Sequence, residues 1–328
     1  MKILATKYTF ALLTATVAAV FISCSSDDDG DTPEPQATVF DNTGYRYSDV
    51  GTDDGYTLTY ENLQSPEENQ LESSSGIVGS RTNDAYVIIC EGAGNPNVLH
   101  VYNRQAEFVG KIIVAGAENV DWQDIAAGPG PDDGAPYLYI GDIGDPGAVR
   151  DVLSIYRLRE PDLSALEVPF EINAGEVDKI DFTVNAKSDF QTLMVDPESK
   201  DLIVMGTMQA MTYRLRFPQS TSGVTAADFK GHHMLRREIK GGDISPDRRH
   251  IIIKDVGEVF KWEIPDGDDP VRVMFEDVPV KVPYVAEIEG GALGWTSDSQ
   301  TYFTITDTDI NDNGVRRGQP ILRGYTRD

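Results

Sequence analysis

Residues 188–205, SDFQTLMVDPESKDLIVM, decide the fold. A polar lead, Ser188 and Asp189, opens onto a short apolar run, and a cluster of Asp, Pro, Glu, Ser and Lys breaks that run before a second one, Leu202 to Met205. Asp side chains bond back to nearby backbone and Pro fixes φ, so DPESKD reverses the chain between two strands. The same order recurs in VDWQDIAAGPG from 120, GGDISPDRRHIIIK from 241 and GGALGWTSDSQTYFTIT from 290, with a looser copy, SGIVGSRTNDAYVIIC, from 75. Each copy continues into a third apolar run: VLHVYN at 98, LSIYRL at 153, MTYRLRF at 211, EVFKWEI at 258 and ILRGY at 321.

These runs are rich in β-branched and aromatic residues and show no sustained helical period, so the chain reads as all-β. A repeat of this length with several strands per copy is that of a β-propeller blade. A sandwich has no need of the same lead in every copy; in a propeller that lead opens the innermost strand and faces the central channel. Five copies are visible, and residues 38–62 add further strand-like sequence placed as outer strands that close the ring with the C-terminal copy. The expectation is six blades over residues 38–328, with five and seven as alternatives, in a monomer.

The N-terminus is of a different kind. MKILATKYTFALLTATVAAVFISC carries Lys2 and Lys7 ahead of an apolar stretch and ends in small residues before Cys24, the pattern of a secretory signal over residues 1–23. It resembles the lipobox of bacterial lipoproteins, which implies that Cys24 is lipidated. The segment that follows, SSDDDGDTPEPQ, has nothing to bury, so residues 24–37 read as a solvated tether. Acidic residues at that point resemble the export signal of Bacteroidetes surface lipoproteins and imply a place on the outer face of the outer membrane; an acidic linker facing the periplasm is the alternative. No later apolar run reaches the roughly 20 residues of a membrane-crossing helix.

With 28 Lys and Arg against 54 Asp and Glu, a net charge of −26, nucleic acid is excluded as a partner. If Cys24 is acylated, Cys90 is the one remaining thiol, and its setting in YVIIC reads as a buried small hydrophobe. Nucleophilic and zinc chemistry find no support: there is no G-x-S-x-G, H-E-x-x-H or C-x-x-C. The histidines are His100, His232, His233 and His250, and the adjacent pair on a strand would point to opposite faces.

Six segments, SGIVGS at 75, DWQDIA at 121, GDIGDP at 141, DFQTLMVDP at 189, GGDISPD at 241 and GGAL at 290, together resemble a group of secreted bacterial propeller proteins. Their signature runs through DWEDIA, GDIGDN and GADISPDG. The resemblance covers nearly the whole mature chain and implies a propeller. Where that signature has glutamate, this chain has Gln123, Gln191 and Gly291, and IICEGAGNPN replaces an expected Trp-x-x-Asn-Asp-Ser-Gly. Glutamine keeps the shape of glutamate and loses its charge and its capacity as a base.

Three groups of polar residues are candidates for a site. Asp121, Gln123, Asp189, Gln191 and Asp243 are expected at equivalent positions round the channel mouth, to cap backbone groups or to bind a ligand or Ca²⁺. Asp307, Asp309, Asn311 and Asn313, with Gly314, fit the opening of a calcium loop, although Pro320 stands where an EF-hand has its bidentate Glu. Asp142, Asp145 and Arg150 share one loop with Asp151, read as ion-paired. Trp122, Trp262, Trp295 and Tyr284 are aromatic candidates for stacking on a sugar or for the core between blades. The functional expectation is a cell-surface lipoprotein whose propeller binds a glycan, a peptide or an envelope partner. The alternatives are a Ca²⁺-dependent hydrolase of phosphatase or lactonase type, by analogy of fold, and a structural partner in an outer-membrane complex.

Overall fold

A computed structural model describes residues 38–40, 43–62, 71–233, 235, 237–287, 290–306, 309–310, 316–317 and 320–328. The expected signal segment, Cys24 and the expected tether lie outside these residues. The strands form a five-bladed β-propeller. Its innermost strands, from blade 1 to blade 5, are Ser74–Gly79, Trp122–Pro129, Phe190–Val195, Ile239–Ile244 and Ala292–Trp295. Each is followed outward by antiparallel neighbours: Tyr86–Glu91 and Val98–Asn103 in blade 1, Pro136–Asp142 and Leu153–Arg159 in blade 2, Leu202–Gly206 and Met211–Leu215 in blade 3. Blade 4 continues through His250–Asp255 and Val259–Glu263, and blade 5 through Thr301–Ile305 and Leu322–Arg327.

The alternation of side chains along these strands divides each blade between two cores. In blade 1, Ile88 and Cys90 pack against Trp122 and Leu138 of blade 2, while Ile77 and Ile89 pack against Ala292 and Phe303 of blade 5. Among the described residues there are five such clusters, one between each pair of neighbouring blades, so the apolar core itself is a closed ring.

The blade count corrects the expectation of six. Residues 38–62 form no blade of their own. Tyr56–Asn62 pairs antiparallel with Leu322–Arg327 and so becomes the outermost strand of blade 5, while Gly51–Thr52 pairs parallel with Val280–Val282 at the edge of blade 4. Phe40 bridges to Gly231 at the edge of blade 3. The N-terminal stretch therefore wraps three blades and joins the two chain ends in one sheet, as the outer-strand expectation had it. The same covering device continues round the ring: Phe170–Asn173 lies parallel to Phe108–Ile113 in blade 1, and Thr225–Ala226 parallel to Val177–Thr183 in blade 2. Edge strands that would otherwise offer free backbone to another chain are thus occupied.

Five inner strands crowd the axis, and glycine makes room for them. A Cβ on Gly76 would stand 2.6 Å from the backbone nitrogen of Ile125 in the next blade, and one on Gly294 would overlap the carbonyl of Ile77. The turn that follows the inner strand is equally regular in blades 1, 3, 4 and 5. Ser80, Asp196, Ser245 and Thr296 all donate their N–H to the carbonyl that opens the second strand, at 2.8–3.0 Å. All four side chains also accept from the turn: Ser80 from Thr82 and Asn83 N–H, Asp196 from Glu198 N–H, Ser245 from Arg249 and His250 N–H, Thr296 from Thr301 N–H.

Candidate functional site

The inner strands all begin at one face of the ring, here the entry face, and end at the other, the exit face. At the entry face the leads of blades 2 and 3 adopt one geometry. Strand register skips at Gln123 and at Gln191, between Trp122 and Asp124 and between Phe190 and Thr192, which bulges each glutamine out of the ladder. Each then turns back onto the preceding aspartate: Gln123 Nε2 donates to Asp121 Oδ1 at 2.7 Å, and Gln191 Nε2 to Asp189 Oδ2 at 3.1 Å. A glutamate at either position would have nothing to donate.

These aspartates also serve the neighbouring backbone, Asp121 through the same Oδ1 and Asp189 through its other oxygen. Asp121 accepts from Ala93 N–H at 3.2 Å, and Asp189 from Asp145 N–H at 2.8 Å. Burial pushes the Asp121 carboxyl up from its ordinary range, with the charges of Asp189 and Asp142 adding to it. The loop 142–151 is self-contained in the same way. Asp142 accepts from Asp121 N–H at 2.8 Å and pairs with Arg150 at 3.1 Å; Asp145 accepts from the N–H groups of Val149 and Arg150, both at 2.9 Å.

Asp243 is not part of this mouth. The register skip in blade 4 falls between Ile239 and Gly241, so the residue equivalent to Asp121 and Asp189 is Glu238, and Asp243 lies five positions further along its strand. It is 3% exposed and accepts from Trp295 N–H of blade 5 at 2.8 Å. Asp124 makes the matching contact between blades 2 and 3, accepting from Leu193 N–H at 2.8 Å and from Ile125 N–H at 2.9 Å. Both are carboxylates inside the ring that tie one blade to the next. Burial raises the carboxyl of Asp243 to about 6 against the lowering influence of Arg81, and raises that of Asp124 further, with the charge of Asp243 adding to it. The sequence does contain a signal for the pair, the Asp-Ile dipeptides of QDIA and GDIS.

Other polar groups in the fold carry no such repeated signature. Lys254 and Glu287 form an ion pair at 2.5 Å with both side chains 0% exposed; Glu287 also accepts from Thr304 Oγ1 at 2.6 Å and Arg323 at 3.1 Å. Burial pulls the Lys254 amine down from its usual range, opposed by Glu287. His100 pairs with Glu91 at 3.1 Å in blade 1. Trp122, Trp262 and Trp295 are fully buried between blades, so the aromatic residues at the leads are core, while Tyr284 is half-buried with Lys254 over its ring.

Asn311, Asn313 and Asp307 of the proposed calcium loop lie outside the described residues, and Asp309 is described by its backbone alone, in a short strand with Ile310 that pairs with Arg316–Arg317. Among the described residues no group of three or more His, Cys, Asp or Glu side chains is arranged to hold a metal ion.

The exit face is built differently. Arg81, in the first turn of blade 1, lays its guanidinium across the ends of three inner strands. It donates to the carbonyls of Gly79 at 2.9 Å, Ala127 at 3.3 Å and Trp295 at 3.5 Å, in blades 1, 2 and 5. Beside it is a cavity of about 380 Å³ walled by Ala127, Pro129, Pro136, Pro197 and Pro246. A second, of about 770 Å³, shares Arg81 and Pro136 and runs out between blades 1 and 2 past Arg159, Glu160 and Asn173.

No family model matches the chain, and no curated protein does. The fold is similar to a solved structure described as that of U3-55K, with 9% identity, 83% of this chain and 100% of that chain covered, and a TM-score of 0.41. A likeness that distant names no activity, and the fold rests on the strand pairing above.

Proposed function

We propose that this chain is a lipoprotein held at the cell surface through Cys24, and that its propeller binds a partner without turning it over. The partner classes in view are a glycan, a peptide or another envelope protein. A propeller is in general a scaffold for binding, with specificity set by whichever residues stand at its faces.

One observation favours binding over hydrolysis. The carboxylates that acid–base or metal chemistry would draw on are committed to structure: Asp121, Asp142, Asp145 and Asp189 accept from loops and leads, and Asp124 and Asp243 tie blades together. A concave surface with room for a ligand is present at the exit-face cleft beside Arg81.

The test has two arms. Metabolic labelling with an alkyne palmitate, followed by protease treatment of intact cells, should mark the wild-type chain and expose it to cleavage. Cys24→Ala should abolish the label, and label retained by that variant would remove the anchor. The purified chain, probed on peptide and glycan arrays and with aryl phosphates and lactones, should give retention on an array and no hydrolysis. Hydrolysis lost in Asp121→Asn would replace the binding reading with the enzymatic one.

A further inference from the structure

We propose that the exit-face cup is a site for an apolar chain ending in a carboxylate, with the carboxylate held by Arg81 and the chain laid against the prolines. This deepens the binding reading and rests on it.

The state of Arg81 carries the inference. Several partly buried arginines in the ring have carboxylate partners: Arg150 with Asp142, Arg157 with Asp178, Arg248 with Asp196. Among the described residues no carboxylate comes within ion-pair distance of the Arg81 guanidinium. Its bonds go to three carbonyls, which fix its position and leave its charge uncompensated at close range. The acidic side chain beside the Arg81 backbone, Glu160, is engaged by the turn, chiefly through Oε1. It accepts from Ser80 Oγ at 2.5 Å, from the backbone N–H of Arg81 at 3.0 Å and from Thr82 N–H at 3.2 Å. Asp243 and Glu160 both act on the guanidinium from beyond ion-pair distance, and Asp243 is itself bound to Trp295 N–H. Arg159, in the adjoining cleft, likewise has no carboxylate partner among the described residues.

The walls define the rest of the ligand. Prolines present ring carbons and no N–H, and Pro129, Pro136, Pro197 and Pro246 come from the turns of blades 2, 3 and 4. Pro197 and Pro246 each follow the residue that caps the inner-strand turn, Asp196 and Ser245, so the repeat itself carries them to the cup. About 380 Å³ lies in the range of small-molecule sites. A guanidinium offers five N–H groups in a planar fork suited to a carboxylate, and the three carbonyl bonds leave part of that fork unspent.

Two sources share this chemistry, a free aliphatic acid and the C-terminus of a peptide. Calorimetric titration of the full chain with hexanoate, with the dipeptide Ala-Leu and with its C-terminal amide separates them. A carboxylate should bind, and the amide should bind about ten- to a hundredfold more weakly than the free dipeptide, the range expected for losing a charge-assisted hydrogen bond. Hexanoate alone identifies the free acid as the natural class, and the dipeptide alone identifies a C-terminus.

Arg81→Met should remove carboxylate binding. Because Arg81 also links three strands, Pro246→Glu serves as the second variant: it leaves the carbonyl bonds of Arg81 in place and sets a tethered carboxylate in the cup. It should lose the ligand with its unfolding midpoint unchanged. Equal affinity for free dipeptide and amide, sensitive to Pro246→Glu, would overturn the carboxylate assignment and keep the cup as a binding site for a neutral partner. Carboxylate binding unaffected by either variant would place it elsewhere and overturn the site. Absence of binding by either carboxylate at about 10 mM, weaker than any specific pocket should give, would overturn it too, and the arrays alone would then decide the binding reading.

Discussion

Asp243→Asn should change how the stability of this protein depends on pH. In the folded chain the Asp243 carboxyl titrates at about 6, against an ordinary value of 3.8. Between those two values the unfolded chain has already released this proton while the folded chain still holds it, so raising the pH favours unfolding. Stability from this site is fully present below pH 3.8, falls as pH rises towards 6, and stays low above. A shift of about two units corresponds to about 3 kcal/mol. Asparagine can still accept from Trp295 N–H, now with no charge to bury. Its amide N–H groups need partners in a site that is 3% exposed, which adds a constant, pH-independent cost of about 1–3 kcal/mol. The discriminating quantity is therefore the difference between variant and wild type as a function of pH. Urea unfolding at half-unit steps from pH 4 to pH 8 should show the variant gaining about 3 kcal/mol relative to wild type across that range. Asp124 shifts in the same direction and is raised in part by Asp243, so some slope should persist in the variant. Curves that stay parallel across the range would refute the reasoning, because they would mean that Asp243 ionises as readily in the folded chain as in the unfolded one.

Further expectations follow from the packing. Lys254→Met leaves Glu287 with Arg323 and Thr304 but without its closest partner, and should lower unfolding stability by about 3–5 kcal/mol, with much of that recovered when Glu287→Gln is added; a double-mutant cycle in urea measures the coupling. Gly76→Ala forces a Cβ against the backbone of Ile125 and should cost about 1–3 kcal/mol or more, read from the thermal midpoint; an unchanged midpoint would mean that the ring tolerates wider spacing at its axis. Removing the strand Tyr56–Asn62 strips blade 5 of its outermost member and leaves Leu322–Arg327 as an open edge, so a chain truncated after that strand should self-associate in sedimentation, whereas a monomer would show that this strand does not protect the edge.

What could be read from the sequence and what could not divide along the range of the interactions involved. The turn after the inner strand of four blades is local: Ser80, Asp196, Ser245 and Thr296 make their bonds within about six residues, so the repeat is visible as composition and the propeller follows from it. Blade number depends on which sheet receives an edge strand. Tyr56–Asn62 joins Leu322–Arg327 at the far end of the chain, and nothing in the alternation of YTLTYEN specifies that partner over a new blade. The place of Asp243 is hidden for a related reason. GGDIS opens like the other leads, but the register skip of blade 4 falls at Lys240, ahead of it, so the acidic residue of this copy stands inside the strand and not at its start. Arg81 lay beyond this kind of reading altogether. Two of the carbonyls that hold it belong to residues 46 and 214 positions away, in blades that become its neighbours only when the ring closes. Inside SGIVGSRTNDA it is one charged residue in a polar turn; that no carboxylate among the described residues stands within ion-pair distance of it follows from the ring. A propeller's repeats are therefore legible one blade at a time, whereas a site at its axis is assembled from several blades, and its chemistry exists only in the closed fold.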